Sequence, residues 1–263
     1  MGNIFGSRTE PKSSYDNSTH QNEDDIWPYV WALQDPTCLD WKQGMSAEEI
    51  QECAVRQTKL PVSITETLYL SDHKNACNMD KLKTLGITHV LNVAGPAARG
   101  PVDKYKSHNI EYKEIDADDE EGYDMLGLHL QQCRAFIQSA ATEGGKVIVH
   151  CVAGINRSGV IAAAEYMLSS DPSTTTVLTT VAHCRRQRGN CFLWNNSFQL
   201  QLVRLARQHH LLGPSPGEPG CYVTQRAPLS HVAGIVFEGS GISDSNTRNN
   251  NKMEKKKSIK DLF

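Results

Sequence analysis

The sequence predicts an α/β fold, because short apolar runs typical of strands alternate with longer stretches whose apolar residues recur at helical spacing. A strand is predicted at 147–149, and residues 150–159 connect it to a helix-like stretch over 160–168. Two glycines at 144–145 end the helical pattern that precedes this strand. For a chain of 263 residues we expect one domain, or at most two.

Both ends of the chain are polar, and we expect most of each to be disordered. Residues 1–25 are rich in Ser, Asn, Asp and Glu, and residues 213–263 contain Gly/Pro-rich, Ser/Asn-rich and Lys-rich stretches. Such segments bury too little apolar surface to offset their ordering entropy. Gly2 is an expected acceptor for N-myristoylation, although Gly6 stands where the usual motif has Ser or Thr. A single acyl chain anchors weakly, so the expected membrane contact is reversible.

Residues 26–59 form an N-terminal arm that we expect to pack on the domain that follows. Aromatic side chains are costly to leave exposed to water, and those of the arm are Trp27, Tyr29, Trp31 and Trp41. Ser46 followed by Glu49 is typical of a capping box and predicts the start of a short helix.

Three later stretches place apolar residues on one face of a predicted helix, and we interpret each face as core. The first carries Leu126, Leu130, Cys133, Ile137 and Ala140. The second, which ends near Gly189, carries Val177, Val181 and Cys184. The third, which ends before Gly213, carries Phe198, Leu202 and Leu205.

Cys151 and Arg157 lie six residues apart between the predicted strand and helix. Backbone N–H groups at a helix N-terminus form a concave anion site with positive partial charge. Together with Arg157, this field is expected to keep Cys151 as the thiolate, the form that attacks phosphorus. The alternative is a buried, inert cysteine. The spacing His-Cys-x5-Arg-Ser in a strand–loop–helix context disfavours that alternative.

Each residue of this loop has an expected role. The phosphate-binding segment comprises Val152, Ala153, Gly154, Ile155, Asn156 and Arg157. Arg157 is expected to hold two phosphoryl oxygens in a bidentate manner, and Gly154 to allow a sharp turn. Ser158 is expected to hydrogen-bond the thiolate and help it leave. His150 is expected to order the loop rather than to act as a base.

Three separated motifs resemble the dual-specificity phosphatases of the cysteine-dependent protein tyrosine phosphatase superfamily. The first is the loop at 150–159, and the second is the segment 64–93. The third lies at 195–202, where that family commonly has Pro-Asn-x-Gly-Phe-x-x-Gln-Leu. This chain departs from the third motif with Trp194 for the proline and Ser197 for the glycine.

The resemblance covers roughly residues 60–212 and implies a dual-specificity phosphatase catalytic domain of the atypical type. It implies a central, mostly parallel sheet flanked by helices, with the phosphate loop between a strand and a helix. It also implies chemistry without a cofactor or a metal. The sequence agrees, because no Cys-x2-Cys pair or His-x3-His spacing is present.

The resemblance further implies a general acid within the acidic segment after Glu114. In the family this acid closes an Ile-Pro-x-x-Asp type segment, which corresponds to the stretch from Ile115 to Asp119. Asp119 is therefore expected to protonate the leaving oxygen and then to activate water. Asp118 is the second candidate, and Asp116 stands where a proline is common. The other acidic residues are interpreted as a solvated loop, and they are Glu120, Glu121 and Asp124.

Three classes of function stay open. The breadth of the resemblance favours a protein phosphatase acting on phosphotyrosine and phosphoserine/threonine. Through Asn156 and Gly159 the loop also resembles that of capping-type enzymes, which implies an RNA 5′-triphosphatase. However, Ser158 replaces the threonine of that loop, and the net charge of −3 offers no nucleic-acid footprint. A catalytically silent phosphoprotein-binding module is the third class. It is disfavoured because binding alone needs no thiolate.

The composition predicts a soluble protein in a reducing compartment. Hydrophobic residues make up 39% of the chain, and no apolar run reaches membrane-spanning length. No secretory signal peptide is apparent. Eight scattered cysteines, one of them needed as a free thiolate, indicate the cytoplasm. The expected partners are phosphorylated proteins, and no nucleic acid is expected.

Overall fold

The computed structural model describes residues 23–35, 37–42 and 44–223. The strands of this part are β1 (Val62–Ser63), β2 (Leu68–Ser71), β3 (His89–Asn92), β4 (Glu111–Glu114) and β5 (Val147–His150). The first helices are α1 (Trp27–Gln34), α2 (Ala47–Gln57), α3 (His73–Ala76), α4 (Met79–Leu85) and α5 (Val102–Ser107). The later helices are α6 (Met125–Thr142), α7 (Arg157–Ser169), α8 (Val177–Arg188) and α9 (Asn196–Gln208).

The strands form one five-stranded sheet in the order β1-β2-β5-β3-β4. Strands β2, β5, β3 and β4 run parallel, and the short edge strand β1 pairs antiparallel with β2. All residues of β5 are buried, as expected for a central strand with both faces covered. The predicted α/β fold with a mostly parallel central sheet is confirmed.

Helices cover both faces of the sheet, and successive side chains of β5 alternate between two apolar clusters. Val147 and Val149 belong to the larger cluster, which includes buried residues of α1 and of α6 to α9. Ile148 belongs to the smaller cluster, together with Leu82 of α4 and Tyr105 of α5. This alternation is the two-residue period of a strand. It sandwiches β5 between two helical layers and so holds the loop that follows it.

The three apolar stripes predicted from the sequence coincide with α6, α8 and α9. Leu130 and Leu205 lie at the margin of the core, and the other stripe residues are buried. Helix α7 begins at Arg157, three residues before the predicted stretch, because the loop turns directly into the helix. The predicted capping box is confirmed at the start of α2, where Ser46 and Glu49 bond each other's backbone N–H groups.

The described residues of the 26–59 arm contact the sheet domain, and a buried arginine connects the two. Arg185 of α8 is 2% exposed. Its guanidinium donates to the carbonyl oxygen of Leu33 at 2.7 Å and to that of Leu39 at 3.3 Å. Leu33 lies in the last turn of α1, so Arg185 supplies a partner for a helix-terminal carbonyl.

Residues 213–223, at the start of the C-terminal segment for which mostly disorder is expected, make defined contacts with the rest of the chain. The carbonyl oxygen of Gly213 accepts a hydrogen bond from the hydroxyl of Tyr29 at 2.5 Å. Val223 is 1% exposed, and its carbonyl accepts from the N–H of Gly217 at 2.9 Å. These contacts stabilise the stretch despite its low apolar content. Composition alone does not reveal them, because they join residues that are distant in sequence.

The remaining terminal segments, 1–22 and 224–263, lie outside the described residues. The predicted acylation of Gly2 and the disorder predicted for these segments therefore stay predictions. Of the first 25 residues, the described ones include Glu23, which pairs with Arg204 of α9 at 2.7 Å. In the described part of the chain, no helix has the length and apolar character needed to cross a membrane.

Candidate active site

Residues 151–156 connect β5 to α7 in a loop whose carbonyl groups point outward. Four successive carbonyl oxygens accept hydrogen bonds of 3.1–3.2 Å from the surrounding protein, and they belong to Val152, Ala153, Gly154 and Ile155. The donors are the N–H groups of His73 and Leu193 and the guanidinium of Arg188. In a trans peptide, the next N–H points away from the carbonyl. The N–H groups of 153–156 therefore face the inside of the loop, as an anion site requires.

Two residues of the loop maintain this shape. Gly154 has a φ of 65°, and a Cβ at this position would lie 2.6 Å from the carbonyl oxygen of Ser71. The Oδ1 of Asn156 accepts the N–H groups of Trp194 and Asn195 at 2.8 and 3.1 Å. Both the positive φ and the lack of space for a Cβ therefore favour glycine at the turn predicted at position 154.

Cys151 begins the loop at the carboxyl end of β5, with its side chain 1% exposed. The hydroxyl of Ser158, in the first turn of α7, donates to the Sγ of Cys151 at 3.2 Å. Because both side chains are buried, this hydrogen bond is little weakened by water. The geometry is the one expected of a serine that stabilises a thiolate.

The guanidinium of Arg157 lies between the phosphate loop and the acidic loop. Its Nη1 donates to the carbonyl oxygen of Ala117 at 3.0 Å, and its Nε lies 3.7 Å from the Oδ2 of Asp119. Among the described residues, the buried Nε has no hydrogen-bond partner. Contacts with the acidic loop thus hold the guanidinium in place, and its remaining N–H groups can donate hydrogen bonds to a bound anion.

Asp119 is the acidic candidate that the structure brings to the loop. Its side chain is 31% exposed, and its Oδ1 accepts from the Nδ2 of Asn195 at 3.4 Å. Asp118 and Asp119 are both exposed, but among the described residues only Asp119 is ion-paired with Arg157, and the side chain of Asp116 lies beside Gly95 instead. The contact with Arg157 favours Asp119 over both alternatives as the proton donor.

Glu121 has a role that the sequence did not indicate. Its two carboxylate oxygens accept the N–H groups of Asn196 at 3.0 Å and Ser197 at 2.9 Å, at the start of α9. A carboxylate is favoured there by the unpaired N–H groups and by the helix dipole. Glu121 therefore fastens the acidic loop two residues after Asp119. A possible signal was the absence of an acidic residue in the first turn of α9 itself.

His150 lies beneath the loop, and burial lowers its pKa to about 4. Its Nδ1 is 3.2 Å from the carbonyl oxygen of Cys151, so this nitrogen carries the hydrogen that the carbonyl accepts. The imidazole is neutral at pH 7 and is buried completely. These features support an ordering role and disfavour proton transfer to a substrate.

Two further buried cysteines, Cys133 and Cys184, lie in the apolar core. Burial raises the pKa of Cys133 to about 12 and also raises the pKa of Cys184. Both are thiols at neutral pH and fill the core. In the described ranges, one group of side chains has metal-ligand spacing, and it comprises His89, Glu111 and Glu143 at the amino ends of the strands.

Comparison with known proteins agrees with the motifs. Residues 68–208 match the family model of the dual specificity phosphatase catalytic domain. Dual specificity protein phosphatase 26 from Homo sapiens is 35% identical over 142 residues, which are 54% of this chain and 64% of the relative. The protein of that name from Bos taurus is 34% identical over the same shares. The chain thus spans less than two thirds of the length of these relatives.

Solved structures support the fold. The crystal structure of human DUSP28 has a TM-score of 0.51 at 20% identity, over 58% of this chain and 96% of that one. The human tyrosine phosphatase-like serine/threonine/tyrosine-interacting protein has a TM-score of 0.50 at 22% identity, over 57% and 97%. At these identities, the likeness concerns the fold alone.

Proposed function

The chain belongs to the dual specificity phosphatase catalytic-domain family, and we propose that it hydrolyses phosphotyrosine and phosphoserine/threonine in proteins through a phosphocysteine intermediate. One observation carries this proposal. The loop from Cys151 to Arg157 turns four successive N–H groups inward, and Ser158 donates to the sulfur at its start. Such a site suits a phosphoryl group beside a thiolate.

The proposed reaction has two steps. The Sγ thiolate of Cys151 attacks phosphorus and displaces the oxygen of the phosphorylated side chain, to which Asp119 gives its proton. Asp119, now a carboxylate, takes a proton from a water molecule whose oxygen attacks the phosphocysteine. Inorganic phosphate leaves and the thiolate returns. The hydroxyl of Ser158, 3.2 Å from the sulfur, stabilises the thiolate as the leaving group.

The surface around the loop supports a protein substrate over an RNA 5′-triphosphate. Val152 is 50% exposed and Trp194 is 58% exposed, and both belong to segments that build the loop. Exposed apolar side chains are suited to polypeptide side chains. An aromatic side chain can also stack on a nucleobase, so the preference over RNA rests on the formal net charge of −3, which offers no electrostatic footprint for nucleic acid. The backbone N–H of Trp194 donates to Asn156, so the backbone that carries the indole is held in position.

The decisive experiment measures phosphate release by the purified full chain from a doubly phosphorylated Thr/Tyr peptide and from 5′-triphosphate RNA, with Cys151→Ser as the control. We expect release from the peptide by the wild type alone. Release from RNA alone would replace the proposal with a 5′-triphosphatase. Binding of the peptide without release from either substrate would replace it with a phosphoprotein-binding module.

We also propose a cytoplasmic location, with reversible membrane contact through an acyl chain on Gly2. All eight cysteines lie in the described part of the chain and are free of disulfides, which supports a reducing compartment. Co-expression with an N-myristoyltransferase followed by mass measurement of the N-terminal peptide tests the acylation. A mass increase in the wild type that is absent in Gly2→Ala is expected, and an unmodified Gly2 would remove the proposed contact.

A further inference from the structure

A second cluster of reactive side chains lies at the amino ends of the parallel strands, whereas Cys151 follows the carboxyl end of β5. His89 begins β3, Glu111 begins β4, and Glu143 directly follows α6. The Nε2 of His89 is 3.5 Å from the Oε2 of Glu111 and 3.9 Å from the Oε2 of Glu143. One ligand atom from each residue lies within 4.8 Å of the others.

The imidazole of His89 is held in place from two sides. Its side chain is only 4% exposed and packs edge-on against Phe136, with ring centroids 5.3 Å apart. Its Nδ1 is 2.8 Å from the Oγ1 of Thr88. A buried imidazole with a fixed orientation has already lost the side-chain entropy that binding a ligand would cost.

The contacts of Thr88 determine which nitrogen of His89 carries the hydrogen. The Oγ1 of Thr88 accepts from the N–H of Lys146 at 3.0 Å and lies 3.2 Å from the carbonyl oxygen of Lys146. A hydroxyl has one hydrogen and two acceptor lone pairs. All three contacts are satisfied when this hydrogen goes to the carbonyl and the Nδ1–H of His89 donates to Oγ1. Nε2 is then the ring nitrogen that is left to bind a ligand.

The Nε2 of His89 faces the carboxylates of Glu111 and Glu143. The Nε2 of His89 is buried and has no hydrogen-bond partner among the residues that the structure describes. In the same part of the chain, neither Glu111 nor Glu143 forms an ion pair with a lysine or an arginine. One imidazole nitrogen and two carboxylates thus converge, and no lysine or arginine of the described residues balances the carboxylate charge. A bound cation would remove their mutual repulsion.

We propose that His89, Glu111 and Glu143 bind a divalent transition-metal ion, with Zn²⁺ as the best match. A tetrahedral Zn²⁺ with bonds of about 2.0–2.1 Å separates its ligand atoms by about 3.3 Å. The observed 3.5 and 3.9 Å reach this value with small side-chain movements. The glutamate side chains are 66% and 59% exposed, which gives the ion a path of entry and leaves a position for water.

The donor set also has the partner that metal-bound histidines usually have. A ligating imidazole generally donates its other N–H to an oxygen, which fixes the tautomer and the ring. Thr88 provides this oxygen, and the backbone of Lys146 orients Thr88 in turn. The ion would join β3, β4 and the end of α6, so its effect is on stability rather than on the phosphate loop.

Zinc titration of the full chain tests the proposal. Cys151→Ser serves as the background, because it removes the thiolate proposed for the active site from the competition for metal. The comparison is between Glu111→Gln/Glu143→Gln and the control Glu52→Gln/Glu66→Gln, which removes the same charge from exposed positions elsewhere. We expect one Zn²⁺ equivalent to be bound at least tenfold more weakly by the first double variant than by the control. Equal affinity in both would overturn the site.

A second measurement needs no change to the ligands. Zn²⁺ added to the isotopically labelled Cys151→Ser protein should move the Nε2 resonance of His89 at one equivalent and raise the melting temperature. An Nε2 resonance that shows a proton on this nitrogen near pH 7 and ignores Zn²⁺ would mean that a proton neutralises the cluster. That result would also overturn the proposal.

Discussion

Asp119 shows how one side chain acquires a role among chemically identical neighbours. Asp116, Asp118 and Asp119 lie within four positions of one another, yet Asp119 alone is ion-paired to Arg157 among the described residues. The link to Asn195 places it beside the loop from a second direction. Hydrogen bonds and charge contacts of this kind orient a proton donor more than its sequence position does.

Replacing Asp119 should lower kcat more for substrates whose leaving group needs a proton than for those whose leaving group does not. We expect Asp119→Ala to lower kcat on a phosphotyrosine peptide by about 10²–10⁴-fold, because an alkoxide or a phenoxide of high pKa needs a proton to leave. The rate with p-nitrophenyl phosphate, whose phenolate needs little protonation, should fall far less. Steady-state kinetics on both substrates check this, with Asp118→Ala as the control. Equal losses on both substrates would move the acid role away from Asp119.

Glu121 should act as a positioning residue for the acidic loop. Glu121→Gln removes the charge and places an amide N–H₂ opposite one of the two backbone N–H groups, so we expect about a tenfold lower kcat for the peptide. The rate with p-nitrophenyl phosphate should change little. Glu120→Gln is the matched control, because this exposed neighbour lacks the contacts to α9. A uniform loss on both substrates would indicate a general structural effect instead.

At the scale of elements, the phosphate loop is shaped by segments that are distant in sequence. Its carbonyl groups bond to α3 through His73, to α8 through Arg188 and to the start of the 193–195 segment through Leu193. Helix α8 therefore has two functions. Arg188 at its end holds the loop, and Arg185 one turn earlier holds the N-terminal arm.

Arg185 should contribute more to stability than an exposed arginine of the same protein. Arg185→Met leaves the carbonyl groups of Leu33 and Leu39 without their buried donor, so we expect the free energy of unfolding to fall by about 2–4 kcal/mol. Arg204→Met removes an ion pair whose side chains are 46% and 38% exposed, and should cost less than about 1 kcal/mol. Urea denaturation measures both. Similar losses would mean that the arm is not anchored by Arg185.

For the molecule as a whole, two buried or paired groups predict how stability depends on pH. Burial lowers the pKa of His150 to about 4. As the pH falls below 6.5, the imidazole of the unfolded chain therefore becomes protonated, whereas that of the folded chain stays neutral until about pH 4. Stability is therefore lost as the pH falls from 6.5 towards 4. The hydrogen bond from Arg99 lowers the pKa of Glu114 to about 2, so its contribution is lost below pH 4.5.

The loss of stability between pH 6.5 and pH 4 is assigned to His150. We expect the free energy of unfolding to fall by about 3 kcal/mol between pH 7 and pH 4 because of this residue, since one pKa unit corresponds to about 1.4 kcal/mol. His150→Asn should flatten that part of the pH profile, whereas the exposed control His108→Asn should leave it unchanged. Denaturation at several pH values provides the measurement. An unchanged slope in His150→Asn would show that other groups cause the loss.

The sequence by itself determined the architecture, because its signals are local. Helical stripes identified α6, α8 and α9, the buried run at 147–149 identified β5, and the motif around Cys151 predicted the loop that follows it. Periodicity and short spacings depend only on neighbouring residues, so they can be read without the fold. The family motifs then supplied the parallel sheet.

Tertiary structure alone decided which residues meet. Glu121 was interpreted as part of a solvated loop, and its bond to α9 joins residues 75 positions apart. Arg188 and the loop carbonyl groups are 34 and 35 positions apart, and the buried His89 meets carboxylates from two other elements. Such contacts arise when separate elements pack, and the chain encodes no local pattern for them. The role of Cys151 was therefore predictable from sequence, whereas the residues that hold the surrounding loops in place, such as Glu121 and Arg188, were identified only in the folded protein.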